Sequence, residues 1–244
     1  MSTAVLAWRQ FRLERRLFWR NPSAAFFTVV LPLLFLALFG VVFAGDQEAL
    51  DTIVPGIAGM AVMATTFHAL AMTVTLLREQ GVLKRMRGTP LPTGAYLGGL
   101  LGSAVVNAVA QVAAITAVGA LLLGTPWPQA WATLVVFLLA GVVCLGALGV
   151  AWSLAIPSAD AAPAYANAVF LPAIAISGVF YDVDGAPAWV RDIAEALPLT
   201  HVIDGLSAGI VTGEGLGAHL GDLAVIALWA AVGLAVAVRR FRWS

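Results

Sequence analysis

Six continuously apolar runs, each about 20 residues long or longer, leave this chain of 244 residues little material for a water-soluble core. They fall at about Ala24–Ala44, Ile53–Leu77, Tyr96–Leu123, Trp131–Ile156, Ala161–Tyr181 and Leu220–Val238. At ~1.5 Å per residue, a helix of that length crosses the ~30 Å of bilayer hydrocarbon. The runs lack the period-two alternation of a barrel strand, and a helix satisfies its own backbone hydrogen bonds in lipid. The expectation is therefore an all-α integral membrane fold with six transmembrane helices. Composition agrees: 61% of residues are hydrophobic and 11% charged, against roughly 25% charged in soluble domains.

Charge then orients the runs. Of 13 Lys and Arg residues, Arg9, Arg12, Arg15, Arg16 and Arg20 precede the first run, Arg78, Lys84, Arg85 and Arg87 lie between the second and third, and Arg239, Arg240 and Arg242 follow the last. Only Arg191 falls in an alternate connection. Asp46, Glu48, Asp51, Asp182, Asp184, Asp192, Glu195, Asp204 and Glu214 occupy the alternate connections instead. A formal charge of zero thus conceals a positive-inside pattern that predicts both termini in the cytoplasm. Arg over Lys, with abundant Ala, Gly and Val, suits a high-GC bacterial genome, and so a multi-pass protein of the bacterial cytoplasmic (inner) membrane. Val42-Phe43-Ala44 is cleavage-like, but the first run exceeds the ~7–15 residues of a signal-peptide core, so it is read as a retained span. The single cysteine, Cys144, excludes an intrachain disulfide.

Residues 1–22 form a separate element. Arg9, Arg12, Arg16 and Arg20 recur at helical steps, with Trp8, Phe11, Leu13, Leu17, Phe18 and Trp19 beside them. This predicts an amphipathic helix in the cytoplasmic interface, serving as an anchor or docking a partner, and broken by Asn21-Pro22. Residues 23–244 then form one transmembrane domain. Its longest cytoplasmic connection, 78–93, carries a short apolar stripe of Val82, Leu83 and Met86 beside Lys84, Arg85 and Arg87, stopped by Gly88-Thr89-Pro90. Composition alone makes this a solvated positive loop; the stripe equally suits contact with another protein. On the opposite side, residues 182–217 hold two short amphipathic helices, Ala188–Leu197 and Thr200–Val211, too short to span and expected to be re-entrant. Gly94, Gly98 and Gly102 give the third span a smooth face for close helix packing, and Gly141 and Gly149 do the same in the fourth. Pro32, Pro163 and Pro172 are expected to kink their helices.

Catalytic signals are nearly absent. There is no phosphate-binding Gly-x-x-x-x-Gly-Lys-Ser/Thr, so the chain cannot couple ATP hydrolysis by itself. His68, His201 and His219 lack metal-ligand spacing, and Cys144 has no neighbour. Neither a cofactor nor a metal is expected on this chain. Ser177 near the end of the fifth run and His219 before the sixth allow a Ser–His intramembrane protease, provided the two meet. Four polar groups lie within spans: His68 about mid-membrane, Asn107 and Gln111 on one face of the third helix, and Asn167 in the fifth. They are candidates for a substrate path or for interhelical hydrogen bonds. No span has a carboxylate at its centre, which disfavours an ion-coupled secondary carrier and places the energy source outside the chain.

The loop Glu79-Gln80-Gly81-Val82-Leu83-Lys84-Arg85-Met86-Arg87-Gly88-Thr89-Pro90-Leu91 resembles the Glu-x-Gly-x-Leu-x-Arg-x-x-x-Thr-Pro-Leu stretch of ABC type-2 transporter permeases of the daunorubicin-exporter kind. Leu197-Pro198-Leu199-Thr200-His201-Val202-Ile203-Asp204-Gly205-Leu206 is similar to that family's Pro-Leu-Thr-x-x-x-Asp-x-Leu segment. Where family members often carry Arg shortly after the final Leu, this chain has Ser207 and Ala208.

The resemblance implies a permease subunit that works as a dimer with a separate ABC ATPase subunit holding ATP and Mg, and that exports an amphiphilic drug, antibiotic or lipid-like molecule. Arg78, Glu79, Gly81, Leu83, Lys84, Arg85, Arg87, Thr89 and Pro90 would then couple to the ATPase, together with the N-terminal helix. Trp189, Pro198, Thr200 and Asp204 would belong to the re-entrant segment on the outer side.

Overall fold

A computed structural model of the chain describes residues 3–20, 22–86 and 93–240. Arg87, Thr89 and Pro90 of the expected coupling loop lie outside the described residues. Among these residues all regular structure is helical: α1 (Thr3–Arg20), α2 (Pro22–Val42), α3 (Gln47–Met63), α4 (Ala69–Glu79), α5 (Val82–Met86), α6 (Thr93–Leu122), α7 (Trp131–Ser153), α8 (Ala162–Ile176), α9 (Ala188–Ala196), α10 (Pro198–Ser207) and α11 (Leu220–Arg240). A π-helical turn, Ala64–His68, joins α3 to α4 without a break. Asp46 starts α3 by accepting the Ala49 N–H at 3.1 Å, six residues ahead of where the apolar run suggested that span begins, because a capping carboxylate can extend a helix beyond its apolar part.

Four described stretches are long and apolar enough to cross a membrane: Gln47–Glu79, Gly98–Leu122, Trp131–Ser153 and Leu216–Arg239. The remaining apolar stretches, Val30–Val42 and Ala162–Ile176, are shorter. The fifth run departs most from expectation. Its apolar sequence continues to Tyr181, yet α8 ends at Ile176 after 15 residues, or about 22 Å of helix. Gly178 turns the chain with φ +75°. The Tyr181 hydroxyl then folds back and donates to the Ala175 and Ile176 carbonyls at 3.0 Å, satisfying acceptors the helix end leaves open. Pro163 does not kink this helix: it sits in the first turn, where no backbone N–H is required.

α7 is the central post. α11 packs along one side of it, α4 and α10 along others, and Phe137, Val142 and Leu145 are buried in the largest apolar cluster. Beside its first half stands a hairpin: α9 leads inward, Leu197-Pro198 turns, and α10 returns. Val202 lies against Gly141 and Leu206 joins the buried cluster. A Cβ on Gly209 would stand 2.6–2.7 Å from Leu134 backbone and Cβ atoms, so only glycine admits this approach. The two expected short helices are therefore present: α10 is packed into the bundle, whereas α9 buries only Ala194 and is otherwise largely exposed.

Candidate functional sites at the two ends of the bundle

The bundle has a basic end, where Arg20, Arg78, Lys84 and Arg239 lie, and an acidic end, where Asp182, Asp184, Glu195 and Glu214 lie.

At the basic end, α1 packs on α6. The glycine face foreseen in the third span is what receives it: Gly98 meets Ala7, Gly102 meets Phe11, and a Cβ on Gly99 would stand 2.5 Å from Gln10 Cγ. Trp8 stacks on Phe11 with ring centroids 5.1 Å apart. Arg9, Arg12, Arg16 and Arg20 are exposed, as the amphipathic pattern anticipated. Arg15, which that pattern did not single out, donates to Asn107 Oδ1 of α6. Gln10 Nε2 donates to Glu14 at 2.7 Å. Burial pushes the Glu14 carboxyl above its ordinary value, partly opposed by that hydrogen bond. Gln10, Glu14 and Asn107, with Tyr96 and Ser103, line a cavity of about 430 Å³ between α1, α4 and α6.

The expected coupling residues divide into two groups. Arg78, half-buried, and Glu79, exposed, both bond backbone groups of the connection between α7 and α8. The Arg78 guanidinium donates to the Ser153 carbonyl at 3.1 Å and to the Ile156 carbonyl, closing the end of α7, where open carbonyls carry partial negative charge. Glu79 accepts the Ala159 N–H. Together they clamp the end of α4 to the connection between α7 and α8. Gly81, with φ +67°, ends α4, and α5 follows as the short amphipathic helix expected. Its Leu83 is 1% exposed among Leu70, Val74, Tyr96, Leu100, Val150 and Ala237. Lys84 and Arg85 face outward, and among the described residues Arg85 donates to the Gln80 carbonyl at 3.3 Å.

The four intramembrane polar groups do not form one site. His68 Nε2 lies 3.2 Å from Asn167 Oδ1, and its ring sits edge-on to Phe170 at 5.4 Å. Asn107 belongs to the Arg15 contact at the α1 junction. Gln111 is buried within the bundle. Asn167 is exposed on the α8 surface. An apolar cavity of about 330 Å³ opens close by, where Phe67 and Val169 meet Leu145, Leu199 and Trp229.

At the acidic end, Trp189 is exposed, Pro198 opens α10, and Thr200 is 6% exposed. The His201 ring spans the hairpin and α11: Nδ1 lies 2.7 Å from Asp222 Oδ1, and Nε2 lies 2.8 Å from the Glu195 carbonyl oxygen. The other Asp222 oxygen is 2.8 Å from His219 Nδ1, whose Nε2 is 2.9 Å from Glu214. Trp229 Nε1 adds a hydrogen bond to the Ala196 carbonyl at 3.0 Å. Asp204 faces a cavity of about 410 Å³. Its side chain is exposed on the wall of that cavity, within reach of the charges of Asp222, His201 and His219.

The protease arrangement is not formed. Both His219 nitrogens face carboxylates, and buried Ser177 Oγ makes no hydrogen bond. Sequence spacing concealed this geometry of two histidines and two acids because 201 and 222 meet only through the fold. The visible signals were His201 and Asp204 three apart on one helix and an acid, Asp222, opening the last apolar run.

The ABC-2 type transporter family matches residues 1–211. The chain belongs to the ABC-2 type transporter family. It is 30% identical to nodulation protein J of Rhizobium leguminosarum bv. trifolii, over 61% of this chain and 56% of that protein. It is also 28% identical to the daunorubicin resistance ABC transporter permease protein DrrB1 of Streptomyces coeruleorubidus, over 71% of this chain and 63% of that one. The chain thus matches less than two thirds of the length of each of these relatives.

Proposed function

We propose that the chain is the membrane-spanning permease subunit of an ATP-binding cassette exporter, paired with a second permease copy and driven by a separate ATPase subunit. The basic end faces the cytoplasm of a bacterial cell and the acidic end faces outward, following the positive-inside pattern. All six apolar helices cross the membrane, with short α8 and the α9–α10 hairpin sharing the outer half.

The observation that carries this reading is α5. It is a short helix at the basic end, seated by buried Leu83 against residues of α4, α6, α7 and α11, with Lys84 and Arg85 turned outward. A push on that exposed face reaches four helices at once. The Arg78–Glu79 clamp passes the same movement to the α7–α8 connection.

The substrate is an amphiphile of the drug, antibiotic or lipid class. The apolar cavity beside Phe67 suits its hydrocarbon part. The exposed His68–Asn167 pair at mid-depth supports a path along the α4–α8 face, because polar groups facing lipid are costly unless a wet path or another subunit covers them. The similarity to a daunorubicin resistance permease supports outward movement.

The test is co-expression with a candidate cassette ATPase from the same genome, and purification through a tag on this subunit. Recovery of a stable complex in which the ATPase subunit and this chain are equimolar is the expected result. Recovery of this chain alone, with transport persisting in vesicles lacking any ATPase, would instead establish a secondary carrier.

A further inference from the structure

Three potential ligands converge on the acidic-end cavity. His201 and Asp204 lie three apart on one face of α10, and Asp222 lies in the first turn of α11. One donor atom from each falls within 4.8 Å of the other two.

The hydrogen bonds around His201 narrow what can sit there. Nε2 faces a backbone carbonyl, which only accepts, so Nε2 carries hydrogen. In the neutral ring Nδ1 is then a lone pair. It points at Asp222 Oδ1, another acceptor, at 2.7 Å. Two acceptors at that distance need a positive centre or a hydrogen between them, which is a proton carried by Nδ1 or by the carboxyl, or a metal ion bound by both groups. A ring N–H donated to a backbone carbonyl is also how metal-ligating histidines are usually oriented. The second Asp222 oxygen is held by His219, and His219 by Glu214, which gives the carboxylate the outer support that a ligand needs. No side chain donates a hydrogen bond to Asp204 among the described residues.

A separate observation points to a ligand in the same place. Ser177 and Thr200 belong to the lining of this cavity, are 1% and 6% exposed, and their buried hydroxyls make no hydrogen bond among the described residues. Unpaired buried hydroxyls are costly unless something in the cavity completes them. Asp182, Asp184 and Glu195 make the surrounding wall acidic, with Arg191 the only Lys or Arg in the lining.

We propose that His201 Nδ1, Asp204 and Asp222 bind one divalent transition-metal cation of the Zn²⁺ type, its fourth position open to the cavity. An imidazole nitrogen with two carboxylates suits Zn²⁺ better than Mg²⁺ or Ca²⁺, which favour all-oxygen sets. At bond lengths of ~2.0–2.2 Å the donors would stand roughly 3.3 Å apart in a tetrahedral site, which small side-chain rotations supply. The bound ion would fasten the re-entrant hairpin to the start of α11. This assignment does not rest on the export reading.

The test uses the full chain, purified without a polyhistidine tag, stripped with a chelator, and re-equilibrated with ZnCl₂. One Zn²⁺ per chain should survive desalting, by elemental analysis. Titration should show affinity falling at least about tenfold in His201→Gln and in Asp204→Asn. Asp182→Asn, on the wall of the same cavity but outside the ligand set, should bind as the parent does. Cobalt loading of the parent protein should give the visible absorption of a four-coordinate site, which decides the matter even if a variant fails to fold. Failure of the folded parent to retain Zn²⁺ would overturn the proposal and leave a proton between His201 and Asp222. Equal losses in Asp182→Asn and Asp204→Asn would overturn it as well, by reducing the site to general attraction of cations to an acidic wall.

Discussion

The two ends of the bundle handle charge in opposite ways. At the basic end, Arg78 and Glu79 reach backbone groups of the α7–α8 connection, whereas Lys84 and Arg85 on α5 stay exposed. At the acidic end the charged side chains turn on one another: Glu214, His219, Asp222 and His201 form one chain of contacts that ties the hairpin to α11. The first arrangement leaves Lys84 and Arg85 exposed while fixing the helix ends behind them. The second closes a surface and leaves an acidic cavity behind it.

Four changes would break or sharpen that contrast. Leu83→Ala should have the largest effect, because it removes the side chain that seats α5; burial of this completeness predicts a loss of about 2–5 kcal/mol, read as a lower unfolding temperature and faster proteolysis at α5. Gly209→Ala attacks the opposite end, where the added methyl would meet the Leu134 backbone. The expected cost is about 1–3 kcal/mol, and unchanged thermal stability would mean that the hairpin is not packed as described. Arg78→Ala should cost roughly 1–3 kcal/mol by leaving the Ser153 and Ile156 carbonyls without their donor, with increased amide hydrogen exchange around residues 153–161. Glu214→Gln should do least, under about 1 kcal/mol, since the carboxylate is half exposed and its ion pair is solvated. An effect as large as that of Leu83→Ala would show that the acidic end carries more of the fold than its geometry indicates.

Much of this was legible in the chain itself. Four of the six apolar runs gave helices long enough to cross a membrane, the arginine spacing gave α1, the Val82-Leu83 stripe gave α5, and the apolar steps after Ala188 gave the hairpin, because each is local periodicity. Gly98 and Gly102 announced a close contact but not that α1 makes it. The short α8 was hidden because Ser177–Tyr181 is as apolar as the helix it ends. Arg15 with Asn107, Glu79 with Ala159, and His201 with Asp222 were not readable, since those partners are far apart in sequence and are joined only by tertiary packing. Glu79 shows the consequence most directly: a residue of the family-like loop that looked like a docking group is engaged within its own chain.

The central claim is that α5 receives the drive of a separate ATPase. It is tested most directly by measuring ATP hydrolysis in the assembled complex for the parent and for Lys84→Ala with Arg85→Ala. Both side chains are exposed, so the stability of this subunit should change by no more than about 0.5 kcal/mol. The account predicts that the double variant still folds and spans the membrane, but binds the ATPase more weakly and loses coupled hydrolysis by roughly tenfold, equivalent to about 1.4 kcal/mol. Parental binding and hydrolysis in the double variant would contradict it and move the drive surface away from α5.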